Sequence, residues 1–192
     1  GHELTFGTNH LGHFALTALV YPTLARTASS RIVTMGSGST KLVSLRAGDL
    51  QSEKKYTSFS SYAQSKHATQ AFGFELDRRL RAARSPVMAL VAHPGGAQDG
   101  LSPHRAGVNE PTAAERILAA VGVVVGGSKE PAAWSLVRAA IDPNAFGGQY
   151  WGRTTPVFGR PAHNTPSRSS HAGEFGRGLW SRRPLNRRRA SV

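Results

Sequence analysis

The chain has 192 residues, which is enough for one ordinary domain with a hydrophobic core. It contains no cysteine, so disulfides, thiolate metal sites and thiol nucleophiles are excluded, and the composition fits a reducing, cytoplasmic setting. The formal net charge is +13, a value that suggests nucleic-acid binding. Residues 152–192 contribute +8 of this charge, however, through nine arginines and one glutamate. Because this segment lacks interleaved aromatic residues and a periodic apolar face, we predict a poorly ordered basic tail and no specific nucleic-acid partner.

The first half of the chain predicts helices that alternate with buried strands. Residues 3–24 place apolar side chains on one side of a helix. The short β-branched run 31–35 predicts a buried strand, which ends in a loop at 36–39 and is followed by a polar surface excursion. Residues 61–83 carry apolar side chains every four residues, as an amphipathic helix does, and the apolar run 87–92 predicts a second buried strand.

The second half of the chain continues this pattern. Further helices are predicted at 112–125 and 131–141, and a short last strand at 148–152. Continuous apolar strands that alternate with amphipathic helices are typical of a doubly wound α/β fold, in which helices cover both faces of a parallel sheet. We therefore predict a domain over 1–152 and a basic tail over 153–192. The longest apolar run is about half the length of a membrane-spanning helix, so we predict no membrane span.

Four groups of polar residues follow these elements in an order that suggests an active site. Tyr62 and Lys66 are four residues apart, so a helix places the phenol and the ammonium on one face. An ammonium close to a phenol favours the phenolate, which can exchange a proton with an alcohol or a carbonyl. Ser37 follows the first strand, Asn9 lies in the first helix, and Pro94–Gly95 follow the second strand. In parallel sheets ligands bind beyond the carboxyl ends of the strands, where two of these groups are expected.

This set of motifs resembles the short-chain dehydrogenase/reductase superfamily. The resemblance is carried by Leu4–Phe14 (LTFGTNHLGHF), Asp49–Tyr56 (DLQSEKKY), Tyr62–Lys66 (YAQSK) and Ala92–Gly95 (AHPG). It extends over residues 1–152 and is strongest to the retinol-dehydrogenase-like branch. The resemblance implies a partial Rossmann-like domain, made of the C-terminal strands and helices of that fold. It also implies an oxidoreductase that transfers a hydride between NAD or NADP and an alcohol or carbonyl substrate.

The resemblance implies a role for each motif residue. Tyr62 would be the general acid/base, and Lys66 would promote its ionisation and bind the nicotinamide ribose. Ser37 would orient the substrate oxygen, and Asn9 would hold a water in a proton relay to Lys66. The residues implied to contact the cofactor are Tyr62, Lys66, Pro94, Gly95 and Ala97. The implied partners are a small apolar alcohol or carbonyl compound and, through the helices that carry Asn9 and Tyr62, a second copy of the chain.

Two features depart from the family pattern. Asp99 stands four residues after Gly95, where the family usually has Thr or Ser on the nicotinamide side. The Gly-rich phosphate loop of the family is not among the 192 residues, so the pyrophosphate lacks its usual helix N-terminus. We therefore expect the chain alone to bind NAD or NADP weakly or not at all. The alternative to an active enzyme is a truncated, catalytically inactive fragment of such an enzyme.

Two other kinds of site are compatible with single features of the sequence. Ser37 follows a strand, as the nucleophile of a serine hydrolase does, but the glycine positions of that motif hold Met35 and Ser39. The histidines that could contribute to a metal site are His10, His13 and His67. We favour structural roles for them, because zinc and iron sites usually need further ligands and a second shell. A structural role is also expected for His93.

Overall fold

A four-stranded open sheet forms the centre of the computed structural model, which describes residues 1–95, 129–155 and 159–181. The strands neighbour one another in chain order: β1 (Arg31–Met35), β2 (Met88–Ala92), β3 (Tyr150–Arg153) and β4 (Pro161–His163). The first three strands run parallel, whereas β4 is antiparallel to β3. The α/β class and the three predicted strands are thus confirmed.

Helices connect and cover these strands. They are α1 (Leu4–Phe6), a π-helical segment (Gly7–Leu11), α2 (Gly12–Leu24), α3 (Ser39–Leu42), α4 (Ser58–Ala82), α5 (Lys129–Ile141), α6 (Arg168–His171) and α7 (Gly173–Ser181). The helices predicted at 3–24, 61–83 and 131–141 are confirmed, while the one predicted at 112–125 lies outside the described residues. Of the helices described, none is both long and apolar enough to cross a membrane.

The strands β1 and β2 pair along their whole length. Their parallel register ends with Met35 opposite Ala92, and the next amide, that of Gly36, donates to the Ala92 carbonyl at 2.7 Å. Residues 89–92 of β2 are fully buried, as expected for a continuous apolar run that is covered on both faces. Because the two strands end together, the loops that follow them emerge side by side at one edge of the sheet.

Helices pack on both faces of the sheet, as a doubly wound fold requires. One core cluster joins α4 to the start of β2 and comprises Phe72, Leu76, Leu80, Val87 and Ala89. A second cluster joins α5 to β2 and β3 and comprises Leu90, Ala92, Ala139, Ala145 and Trp151. Gly73 allows α4 to approach the sheet closely, since a Cβ there would lie 2.6 Å from Cγ2 of Val91 and 3.1 Å from the Thr34 hydroxyl.

The C-terminal segment differs in part from the basic tail predicted over 153–192. Its described residues form β4, α6 and α7, and α7 packs against α4. The Trp180 ring stacks on Phe72 with centroids 5.7 Å apart and contacts Phe14 edge-on at 5.1 Å. The tail was predicted from the charge of this segment. The packing of the segment depends instead on a few apolar side chains.

Candidate active site

The predicted site residues lie at the edge of the sheet where β1 and β2 end. Ser37 follows β1, and Pro94–Gly95 follow β2. Helix α4 begins with a side-chain cap, because the Thr57 hydroxyl accepts a hydrogen bond from the Ser60 amide at 3.2 Å. This start places Tyr62 within the second turn of α4, and the contacts described below tie that part of the helix to the end of β1.

Tyr62 and Lys66 lie side by side on α4, as their spacing predicted. The Lys66 ammonium lies 5.8 Å from the centre of the Tyr62 ring. It also donates a hydrogen bond to the carbonyl oxygen of Met35 at 3.1 Å, which joins α4 to the last residue of β1. Burial lowers the pKa of Lys66 below its usual value. A cation and a phenol are thus held together beside the end of β1.

Asn9 lies in the π-helical segment, which places it against α4. Its side-chain amide donates to the Ser65 hydroxyl at 3.0 Å, and Ser65 immediately precedes Lys66. The Asn9 carbonyl accepts a hydrogen bond from the Thr69 hydroxyl at 2.9 Å. The Ser65 hydroxyl in turn donates to the Tyr62 carbonyl at 2.7 Å. Asn9 therefore contacts the turn of α4 that joins the tyrosine to the lysine, and the water relay to Lys66 stays a prediction.

Ser37 lies in the loop that leaves β1. Its hydroxyl oxygen accepts a hydrogen bond from the Ser39 amide at 3.2 Å. Two side chains donate to its carbonyl oxygen, the Thr40 hydroxyl at 3.0 Å and the Gln70 amide at 2.9 Å. Neither Thr40 nor Gln70 was predicted from the sequence. The signal for Gln70 was its position four residues before Phe74, which places a polar side chain on the buried face of a helix.

The Pro94–Gly95 turn leaves β2 beside this loop. Gly95 has a φ of 74°, which glycine adopts without strain. Its amide donates to Nδ1 of His93 at 3.2 Å, and the His93 ring stacks on Tyr150 with centroids 5.2 Å apart. Burial, together with the positive charge of Lys41, lowers the pKa of His93 to about 4, so the ring is neutral near pH 7. His93 therefore contacts both Gly95 and Tyr150, and its structural role stays a prediction.

The arrangement fits the nicotinamide end of NAD or NADP. The Lys66 ammonium has three N–H donors and uses one on Met35, so donors remain for ribose hydroxyls. The half-buried backbone of Pro94–Gly95 offers polar groups to a flat polar ring at the edge where such sheets bind ligands. Two further residues of the predicted site region, Ala97 and Asp99, lie outside the described residues.

The histidines considered for a metal site have separate packing roles. His10 packs against aromatic rings, among them Phe72 with ring centroids 6.0 Å apart. The two ring nitrogens of His67 contact the Ser170 hydroxyl at 2.9 Å and the Val43 carbonyl at 2.8 Å. Within residues 1–95, 129–155 and 159–181, no group of three or more His, Asp or Glu side chains is placed to hold a metal ion.

Comparison with known proteins finds relatives that are named as dehydrogenases and a solved structure of similar fold. The chain is 38% identical over 156 residues to polyprenol dehydrogenase of Mus musculus, a match that covers 78% of this chain and 45% of that protein. It is 41% identical over 104 residues to retinol dehydrogenase 14 of Homo sapiens, with 54% of this chain and 30% of that protein covered. A crystal structure of a protein from Mycobacterium Paratuberculosis has a TM-score of 0.71 and 31% identity, and the match covers 94% of this chain and 57% of that one.

No family model matches the chain. The chain spans less than half the length of the two curated relatives described above. The structural match nevertheless covers nearly all of the chain, so its sheet and flanking helices are a shared fold. The comparisons confirm the resemblance to the short-chain dehydrogenase/reductases and their retinol-dehydrogenase-like branch: the chain is similar to a polyprenol dehydrogenase over 78% of its length and to a retinol dehydrogenase over 54%.

Proposed function

We propose that the protein is an NAD(P)-dependent oxidoreductase that interconverts an alcohol and a carbonyl compound, with Tyr62 as the general acid/base. The observation that carries this proposal is the pairing of Tyr62 with the Lys66 ammonium where β1 ends. The relatives described above are dehydrogenases, which supports an oxidoreductase of the short-chain type. The cofactor and the role of Tyr62 are part of the proposal.

In the oxidative direction, the substrate hydroxyl lies between Ser37 and Tyr62. The Tyr62 phenolate takes the hydroxyl proton, and the carbon that bears the hydroxyl loses a hydride, so that a carbonyl group forms. A nicotinamide held by Lys66 and Pro94–Gly95 would supply the hydride acceptor. The positive charge of Lys66 favours the phenolate, and the Ser37 hydroxyl holds the substrate oxygen in place. In the reductive direction, Tyr62 returns the proton to the carbonyl oxygen.

The remaining residues of the site hold the cofactor and move protons. Pro94 and Gly95 would hold the nicotinamide carboxamide, and the sequence predicts the same role for Ala97. Asn9 holds a water that connects Lys66 to solvent, and its contact with Ser65 keeps it beside the lysine. These roles assign every motif residue to substrate orientation, cofactor orientation or proton transfer.

We further propose that the substrate is an apolar alcohol or the corresponding carbonyl compound. The relatives are by name a polyprenol dehydrogenase and retinol dehydrogenases, and both named compounds are alcohols with extended apolar chains. A series of primary alcohols and a series of secondary alcohols, each varied only in the length of its apolar chain, test this assignment. We expect kcat/KM to rise with chain length, and a preference for the short, polar alcohols would contradict it.

A turnover assay on a lysine variant tests the proposed reaction. Protein from the complete reading frame that encodes this chain should reduce NAD or NADP with an apolar alcohol, as read from nicotinamide absorbance. Lys66→Met should lower kcat/KM by at least about 100-fold and also weaken cofactor binding, because the same ammonium promotes the ionisation of Tyr62 and binds the cofactor. The matched control is Lys54→Met, at an exposed lysine in the polar segment before α4. Undetectable turnover in the wild type, or equal turnover in the two variants, contradicts the proposal.

The 192-residue chain by itself is expected to bind NAD or NADP weakly, because its sequence holds no Gly-rich phosphate loop. Fluorescence titration of the reduced cofactors against the purified chain measures this binding. The same experiment addresses the alternative of a catalytically inactive fragment, which would neither bind cofactor nor turn over an alcohol. Saturable binding in the micromolar range would show that the missing motif is not needed.

A further inference from the structure

One buried amide connects the two loops of the candidate site. Gln70 lies on α4 with no exposed surface. Its Nε2 group donates to the Ser37 carbonyl at 2.9 Å and to the Tyr150 hydroxyl at 3.2 Å. Its Oε1 atom lies 3.3 Å from the Thr40 hydroxyl, whose single proton is shared with the Ser37 carbonyl at 3.0 Å. Both N–H donors of the amide are therefore in use, which fixes its orientation.

The Gly36–Ser37 turn lies directly against this amide. A Cβ on Gly36 would lie 2.7 Å from Nε2 of Gln70, so the backbone approaches the side chain more closely than any other residue type at that position would allow. Thr40 donates to the same Ser37 carbonyl at 3.0 Å. Two side chains thus hold the Ser37 backbone, and this fixes the position of the Ser37 hydroxyl.

The contacts continue from Tyr150 to the loop after β2. The Tyr150 ring stacks on His93 with an interplanar angle of 24° and centroids 5.2 Å apart. Nδ1 of His93 accepts the Gly95 amide at 3.2 Å. A continuous set of contacts therefore runs from Ser37 through Gln70, Tyr150 and His93 to Gly95.

We propose that Gln70 is a positioning residue that sets the distance between the substrate-side loop at Ser37 and the cofactor-side turn at Pro94–Gly95, acting through Tyr150 and His93. Its catalytic consequence rests on the proposed function, since Ser37 and Pro94–Gly95 act on substrate and cofactor only in that reaction. Hydride transfer requires the two reactants to be held at a short, fixed separation, and small errors in that separation are costly.

The chemistry of the position favours this role over simple packing. A buried amide is costly unless its polar atoms are satisfied, and an apolar side chain would fill the same volume beside Tyr150 without that requirement. A fully satisfied polar network in a core does, however, fix one relative arrangement of the groups it joins. At Gln70 the groups joined are the two loops of the candidate site.

Two variants remove contacts between the Ser37 loop and the Pro94–Gly95 turn to different extents, and a third is a matched control. Gln70→Leu removes every contact of the amide, while Tyr150→Phe removes one hydroxyl and keeps the stacked ring. Gln149→Leu is the control, because Gln149 is also buried but its side-chain oxygen accepts from the Phe146 amide and the Trp151 indole on the other face of the sheet. All three are made in the protein that is used for the turnover assay.

Hydrogen exchange and steady-state kinetics are measured on each variant. In Gln70→Leu, backbone amides of residues 36–41 should exchange at least about tenfold faster than in the control, because the loop loses a donor to its carbonyl. The kcat for alcohol oxidation should fall about tenfold while the Kd for cofactor changes less than about twofold, since alignment and not binding is lost. Tyr150→Phe should show a smaller change of the same kind and guards against failure of Gln70→Leu to fold.

Each outcome decides the proposal. Faster exchange at 36–41 together with a loss in kcat, in one or both variants but not in Gln149→Leu, supports it. Equal exchange and equal kcat in the variants and the control overturn it, as does a loss that is confined to cofactor affinity. If no protein turns over an alcohol, the proposed function fails, while faster exchange at 36–41 would still show that Gln70 holds the loop.

Discussion

Two buried histidines link the stability of the fold to pH. Burial lowers the pKa of His10 to about 4, and the nearby charge of His13 acts in the same direction. His93 has a pKa of about 4 for the reasons given above. Both rings are neutral in the folded chain, whereas their pKa in the unfolded chain is near 6.5. Below that value the unfolded state binds more protons, so acid favours unfolding.

We predict that the free energy of unfolding falls as the pH is lowered from 6.5 to 4. The loss is up to roughly 3 kcal/mol for each histidine. His10→Phe should remove the part of this pH dependence that His10 contributes, because the ring lies among Phe6, Phe14 and Phe72 and its Nδ1 has no hydrogen-bond partner among the described residues. Urea unfolding at pH 7 and pH 4.5 measures both effects.

The control for this prediction is His2→Gln at an exposed position, which should leave the pH dependence unchanged. A His10→Phe protein that loses as much stability at pH 4.5 as the wild type would show that His10 is protonated in the folded state.

At the level of single residues, sequence could predict those whose order along the chain forms a motif. Tyr62 and Lys66 were found by spacing, and the structure places them side by side. Gln70 could not be found in this way, because its hydrogen bonds to Ser37 and Tyr150 join positions 33 and 80 residues away. Contacts of that range depend on the register of the sheet and the placement of α4, neither of which a local pattern contains.

At the level of elements, the close contact between α4 and the sheet depends on Gly73. We predict that Gly73→Ala lowers the free energy of unfolding by about 1–2 kcal/mol, because the added Cβ would lie 2.6 Å from Cγ2 of the fully buried Val91. The loss exceeds the gain in helix propensity, which is at most about 1 kcal/mol. Thermal and urea unfolding measure the difference.

The matched substitution is Gly178→Ala in α7, where nothing lies within 4 Å of the added Cβ. It should stabilise the protein by up to about 1 kcal/mol, since only the propensity effect remains. Equal effects of the two substitutions would mean that α4 does not approach the sheet as closely as described.

The elements themselves were largely predictable, but their irregularities were not. The pattern over 3–24 predicted a helix, and the structure adds a π-helical segment at Gly7–Leu11. The Asn9 carbonyl in that segment accepts a hydrogen bond from Thr69 on α4. A partner outside the helix supports such a local change in hydrogen bonding, and apolar periodicity does not reveal it.

At the level of the whole molecule, α2 presents an apolar face without a partner in the described residues. The helix contains no charged side chain and no buried residue, and Leu16, Leu19 and Val20 are exposed. Next to these exposed residues lies an apolar groove of about 330 Å³, which is lined by α2, α4 and Trp180 of α7. An exposed apolar face of this kind is typical of an interaction surface. The pairing of two chains through the helices that carry Asn9 and Tyr62 stays a prediction, and this face is where we expect it.

We predict that the protein is a dimer and that Leu19→Glu dissociates it, because a charge would be buried in the interface. Leu42→Glu on α3 is the control, since both leucines are 78% exposed in the single chain. Sedimentation velocity measures the oligomeric state of both variants. A monomeric wild type, or a dimer that persists in Leu19→Glu, would show that this face does not pair two chains.

The C-terminal segment is the part of the molecule whose structure the sequence predicted least well. The arginine content of 153–192 predicted a tail, yet β4 completes the sheet through its pairing with β3, and Trp180 closes the cluster around Phe72. Net charge describes how a segment interacts with solvent and counterions. It carries no information about the few apolar residues that decide whether the segment packs.

Steady-state turnover of Tyr62→Phe tests the proposed chemistry most directly. The substitution keeps the ring beside Lys66 and removes only the hydroxyl that exchanges the proton. We predict that kcat for alcohol oxidation falls by at least about 1,000-fold, while the Kd for NAD or NADP stays within about twofold of the wild-type value. A Tyr62→Phe protein that keeps most of the wild-type kcat would contradict the assignment of Tyr62 as the general acid/base.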